Sequence, residues 1–215
     1  MELKKKINLE NRGQSYSMPL LKKGEARDIV CNLNWSQYPS SAGFFSKIFG
    51  GGIDLDLGVF YELHDGSTGL IDGLQFAHGQ GGGRNQVSRQ GSYDYSPWVW
   101  HAGDDRTGSS NAGEFVYVNP KGLKDIKRIQ FYATIHDSKV TWAETNAEIT
   151  INIPGHPPVS VNLGRENDRR TLCLFCTIKF TSIGIEVSNE TSFHSGRPDA
   201  DKAYNWGFKY RPGTK

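Results

Sequence analysis

Cysteine is scarce and odd in number, with three residues in a chain of 215. That argues against a disulfide framework. Cys173-Leu174-Phe175-Cys176 is formally a C-x-x-C, but positions i and i+3 of a strand face opposite sides and no second such pair completes four metal ligands. Long apolar runs are also missing. Nothing approaches the roughly 18 residues of a membrane-spanning helix, and no apolar run of signal-peptide length follows the basic Lys4-Lys5-Lys6. The expected location is therefore the cytoplasm. Charge of one sign is lacking too, because 25 Lys and Arg stand against 23 Asp and Glu. A net charge of +2 creates no strong field towards nucleic acid, so no nucleic-acid partner is expected.

Catalytic signatures are absent as well. The glycine-rich stretch from Gly79 to Ser92 lacks the Gly-Lys-Ser/Thr ending of a phosphate loop, and Arg84 stands where a dinucleotide fingerprint needs its third glycine. It reads as a mobile surface loop. There is no nucleophile motif and no Ser/His/Asp ordering, so the chain is not expected to be an enzyme. No repeat or linker divides it. The expectation is one domain over residues 1–215 with an extended C-terminal part.

What the chain does contain is glycine, 25 residues, and aromatics, 12%. Both favour strands joined by tight turns. Alternating stretches place strands at 3–9, 28–35, 53–60, 70–77, 114–119, 126–135, 147–153, 159–163, 171–180 and 183–187, with a last one in 204–210. Residues 13–26 read as loop, His64-Asp65-Gly66-Ser67 as a hairpin turn, and 138–145 as one short helical turn. The fold class is all-β, an antiparallel β-sandwich with long loops and little helix.

One strand organises the reading. In Gly52-Ile53-Asp54-Leu55-Asp56-Leu57-Gly58-Val59-Phe60 the two aspartates share a face with Gly58 and Phe60. Carboxylates about 7 Å apart on one strand face either look into water at a strand end or share a cation. About fifty residues on, Gly103-Asp104-Asp105-Arg106-Thr107-Gly108-Ser109-Ser110-Asn111-Ala112-Gly113-Glu114 crowds oxygen donors between glycines. Calcium takes six to eight oxygens, and if this loop folds over the strand the two supply a floor and a lid. Its spacing is not that of an EF-hand. The other reading is a solvated turn whose aspartates cap their own backbone.

Three segments in order resemble the TerD-like tellurium-resistance family. The strand Ile53–Phe60 is similar to its Asp-Leu-Asp strand, Gly103–Gly108 to its Gly-Asp-Asn-x-Thr-Gly loop, and Ile129–Asp137 to its strand ending in Ile-His-Asp/Glu. The match covers roughly residues 26–153, and the aromatic insert and long tail are closer to the TerA type than to TerD. The resemblance implies a calcium-binding bacterial protein of tellurite resistance and stress response. Its partners would be other tellurium-resistance proteins, at the inner face of the membrane, and no catalytic reaction comes with it. The metal ligands it implies are Asp54, Asp56, Asp104, Asp105, Thr107, Ser109 and Glu114. Neighbouring calcium sites, two in number, are implied by the family. With only five carboxylates in this set, one tight site and a second weak or empty one are expected.

A calcium-dependent carbohydrate-binding module is the alternative. Tyr93, Tyr95, Trp98 and Trp100 lead into the acidic loop and could stack on a sugar, or could cover the sheet as apolar packing.

Overall fold

The computed structural model describes residues 5–20, 27–36, 38, 52–73, 81–103, 113–136 and 140–210. In chain order the strands are β1 (Ile7–Asn8), β2 (Ser15–Pro19), β3 (Ile29–Asn34), β4 (Leu55–Leu63), β5 (Thr68–Asp72), β6 (Gly91–Ser92) and β7 (Val99–His101). They continue with β8 (Glu114–Val118), β9 (Ile126–Ile135), β10 (Glu148–Asn152), β11 (Val159–Asn162), β12 (Leu172–Phe180) and β13 (Gly184–His194). Two short helices, α1 (Trp142–Thr145) and α2 (Arg197–Tyr204), and a 3-10 turn at Pro120–Gly122 accompany the strands among the described residues.

One sheet runs β1-β11-β10-β3-β8-β7-β6 and the other β2-β13-β12-β9-β4-β5. The pairs are antiparallel except at the edge, where β1 lies parallel to β11. Period-two alternation drives the packing. Ile29, Cys31 and Leu33 of β3 and Leu55, Leu57 and Val59 of β4 are fully buried and meet in the core between the sheets. The turn at 64–67 is the expected hairpin: Leu63 N–H donates to Ser67 O at 2.8 Å, and Gly66 takes φ +87°, where a side chain would be strained.

Four expectations need correction. Residues 15–19, expected as loop, form β2, because their backbone pairs along β13, which runs past residue 187 to His194. Among the described residues of 3–9, which begin at Lys5, only Ile7 and Asn8 pair as strand. The strand expected over 70–77 is β5, which ends at Asp72; residues 74–80 lie outside the described residues. The tail 204–210 is not a strand: Asn205 at φ 56° and Gly207 at φ 80° break the extended path. Its backbone is instead held by Asp201, whose carboxylate accepts the N–H groups of Gly207 and Phe208, each at 2.9 Å.

The cysteines also behave differently. A β-bulge shifts the β12 register between Leu174 and Cys176, so Cys173 and Cys176 both join the interior cluster. All three thiols are free and buried, and burial pushes each well above its ordinary pKa.

The second sheet has a covered outer face. Phe60, Tyr132, Leu172 and Leu174 form a second apolar cluster with Ala200 and Trp206. Phe60 stacks on Trp206 at 5.5 Å and on Phe208 at 5.8 Å between ring centroids. The C-terminal segment therefore lies over β4, β9 and β12.

Candidate metal centre

Among the described residues β4 pairs with β5 only from Gly58 onward. At Leu57 the backbone groups facing that side are taken by side chains from the other sheet. Glu114 Oε2 accepts the Leu57 N–H at 2.7 Å, and His101 Nε2 lies 3.0 Å from Leu57 O. The Gly103 N–H donates to His101 Nδ1 at 3.1 Å, which assigns the remaining ring proton to Nε2 and makes Leu57 O its acceptor. Glu114 is 1% exposed and His101 fully buried. Both are in phase with buried valines, Glu114 with Val116 and Val118, His101 with Val99. The sequence reading missed His101, although that alternation was visible.

Asp54 and Asp56 share a face, as expected, and it is the face turned away from the core. Asp56 is 2% exposed and its Oδ2 lies 2.5 Å from His136 Nε2. The His136 N–H donates to Asp54 O at 3.1 Å, so the end of β9 and the start of β4 hold one another. Asp54 itself is partly buried. Gly58 beside them admits the Tyr132 ring: a Cβ at Gly58 would stand 2.0 Å from Tyr132 Cζ.

The acidic loop connects β7 to β8. Its two ends are anchored at this same end of the sandwich. The Ala102 N–H donates to Phe115 O at 2.9 Å. Gly113, at φ 70°, packs so closely that a Cβ would lie 2.0 Å from Leu33 O. Asp104, Asp105, Thr107 and Ser109 lie outside the described residues. Of the seven expected ligands, Asp54, Asp56 and Glu114 are therefore placed, and Glu114 reaches the backbone one residue from Asp56. Their donors are all carboxylate oxygens, the hard ligands calcium takes. Among the described residues no three His, Cys, Asp or Glu side chains converge as a metal cluster.

The aromatic segment is largely committed to packing. Trp98, at φ 62°, sits against Gly122, where a Cβ would come within 2.1 Å of its ring. Trp100 tilts on Tyr117 at 5.9 Å and donates from Nε1 to Gly82 O at 3.2 Å. Arg84 stacks 3.8 Å over Tyr93 and forms an ion pair with Asp28. Gly82 N–H donates to Gln90 Oε1 at 2.6 Å. The stretch expected as a mobile loop is thus pinned over residues 82–93, and Tyr95, 57% exposed, is the freest of the four aromatics.

One Ser-His-Asp grouping does occur, which sequence order did not reveal. Ser192 Oγ lies 3.0 Å from His194 Nε2, but His194 Nδ1 is 3.7 Å from Asp199 Oδ2, beyond hydrogen-bond reach. Asp199 Oδ2 instead accepts from the Ser195 N–H at 3.0 Å, at the entry to α2, and Ser192 Oγ also meets Tyr204 Oη at 2.9 Å. These contacts fasten α2 to β13. No helix among the described residues is long and apolar enough to cross a membrane.

No family model matches the chain. A tellurium resistance protein TerA from Alcaligenes sp is 32% identical over 212 residues, 98% of this chain and 58% of the relative, so the chain spans less than two thirds of that protein. Among solved structures, a crystal structure of a protein of unknown function superposes with a TM-score of 0.53 at 12% identity, covering 82% of this chain and 95% of the other. That likeness concerns the fold alone. A homologue of the telluride resistance protein TerD from Streptomyces coelicolor A3(2) reaches a TM-score of 0.49 at 12% identity, over the same shares of each chain.

Proposed function

Because the chain belongs to the TerD-like tellurium-resistance family, we propose that it is a calcium-binding, non-catalytic protein of the response to tellurite. The observation that carries the reading is the meeting of two chain segments. Asp54 and Asp56 flank Leu55 at the start of β4, and Glu114, which closes the acidic loop, bonds the backbone of Leu57, the residue after Asp56. Asp54, Asp56 and Glu114 would hold the ion together with Asp104, Asp105, Thr107 and Ser109. Calcium would supply charge neutralisation rather than chemistry. It would draw the loop onto the strand and give the end of the sandwich one defined surface.

That surface is what a binding or scaffold role requires. We assign as its partners other tellurium-resistance proteins, at the inner face of the membrane, with the protein itself in the bacterial cytoplasm. A role without catalysis agrees with the engagement of the buried polar groups. His101 and Glu114 satisfy backbone groups, and the Ser192–His194 pair lacks the oriented third member that a hydrolase base needs. No observation favours the carbohydrate reading, because Trp98 and Trp100 are used inside the fold.

Thermal denaturation of chelator-treated protein tests this. At about a hundred times its dissociation constant an ion adds roughly 2.7 kcal/mol, or about 5–10 °C for a domain of this size. Asp54→Asn, which removes charge from the floor, should lose most of that gain. Identical melting curves in EDTA and in calcium would refute the reading.

A further inference from the structure

The outward face that carries Asp56 also carries Asp72. In the β4–β5 register Asp72 stands opposite Gly58, two residues along from Asp56 on the same face. Both carboxylates are 2% exposed. A cation already reaches Asp72, beside Asp56, and it belongs to the chain itself. Arg197, the first residue of α2, forms an ion pair with Asp72; partial burial lowers its pKa, and the charges of Tyr210 and Asp56 oppose that. His136 pairs with Asp56. The Tyr132 hydroxyl is buried beside Gly58 and forms no hydrogen bond among the described residues. Burial pushes its pKa well above the ordinary value, and the charges of Tyr210 and Asp56 add to the rise.

Asp72 is buried and Arg197 partly so, and the pair is costly to leave half-made, because removing either partner strands an uncompensated charge. The aromatic cover holds it in place. Trp206 and Phe208 stack on Phe60, Arg128 lies 4.0 Å over Trp206, and Trp206 Nε1 donates to Gln130 Oε1 at 2.9 Å. We propose that Arg197 is a tethered cation that occupies the acidic face of β4 and β5 and competes with a divalent ion for Asp56, so that ion binding and release of residues 197–210 are coupled. The inference rests on the calcium reading for its competitor, and on the Arg197–Asp72 pair for its latch.

The physical reason is charge. The guanidinium carries one positive charge on a planar fork, and calcium carries two. With both in place, three positive charges would face Asp56 and Asp72 in a water-poor pocket, and like charges a few ångströms apart repel strongly there. Calcium would therefore bind with a penalty unless the arginine withdraws. Withdrawal would take α2 and the stacked Trp206 with it and uncover Phe60, Tyr132, Leu172 and Leu174.

Two measurements test this, and they separate its failure from that of the calcium reading. The first is free of calcium: hydrogen exchange over residues 197–210 in wild type and in Asp72→Asn. The variant leaves Asp54 and Asp56 untouched, and should exchange there at least about tenfold faster if the pair is the latch. Equal exchange overturns the latch, whatever calcium does. The second is isothermal titration of calcium chloride into chelator-stripped wild type and Arg197→Met, with hydrogen exchange of wild type at saturating calcium. The variant should bind about tenfold more tightly, and calcium should speed exchange across 197–210 in wild type, a readout that needs no variant to fold. Equal affinity with unchanged exchange overturns the competition and leaves the calcium reading standing. No binding to either protein overturns both.

Discussion

Glu114, the first residue of β8, accepts the N–H of Leu57 in β4 at 2.7 Å, so one buried carboxylate ties the two sheets of the sandwich together. Its loss should be felt without any metal present. Glu114→Ala leaves a buried N–H without that acceptor, at a cost of about 2 kcal/mol. The melting temperature in EDTA should fall by about 4–8 °C. Glu114→Gln keeps an oxygen for Leu57 and should lose less. An alanine variant that melts with the wild type in EDTA would show that the bond contributes nothing to the fold.

Gly58→Ala should be among the more damaging single-methyl changes in the chain. The added carbon would meet the Tyr132 ring at 2.0 Å, and Tyr132 is enclosed by the C-terminal cover. Overpacking of this kind costs about 3 kcal/mol. Urea denaturation of Gly58→Ala should show a correspondingly lower midpoint. A small change would mean that Tyr132 moves aside cheaply.

Calcium stoichiometry should be one tight ion per chain, with a second weak or empty. Five carboxylates are expected in the ligand set, and Glu114 already spends an oxygen on Leu57. Ligand charge count is a main tuner of calcium affinity. Isothermal titration of chelator-stripped protein giving two equally tight ions would show that carbonyls and waters make up the deficit.

The attachment of α2 should weaken in mild acid. Burial pushes the His194 imidazole below its ordinary pKa, and Arg170 and Arg12 push the same way, while Asp199 opposes them. The folded protein thus binds less proton at His194 than the unfolded chain does. This contribution is complete above the unfolded value of about 6.5 and is lost as the pH falls from there through the lowered folded value. A stability–pH profile should therefore fall below about pH 6.5, and His194→Gln should flatten that part of the profile. An unchanged slope in the variant would assign the pH dependence to other groups.

Much of the sandwich was legible because its strands are amphipathic. Ile29-Val30-Cys31-Asn32-Leu33-Asn34 announces its buried face in every second residue, whereas in 126–135 the core-facing Ile129, Phe131, Ala133 and Ile135 alternate with Gln130 and Tyr132, which are buried too. The Asp54–Asp56 face was legible for the same reason. Strand β2 was not, since Ser15–Pro19 buries Met18 alone and gains its place through backbone bonds to β13 rather than through a pattern. The faces of Cys173 and Cys176 were misread because a bulge changes the phase of a strand without any local signal.

The order of residues alone determined which side chains share a face, and hence that Asp54 and Asp56 point together away from the core. Alternation is a local property of an extended chain and needs no partner to define it. What lies over that face was decided only by the tertiary structure. Arg197 stands 125 residues after Asp72 in the chain, on a helix whose sequence carries no mark of its destination, and it arrives beside Asp72 because Trp206 and Phe208 find Phe60. Apolar burial is non-directional and acts between residues of any separation. The charge pairing beneath the cover follows from that packing.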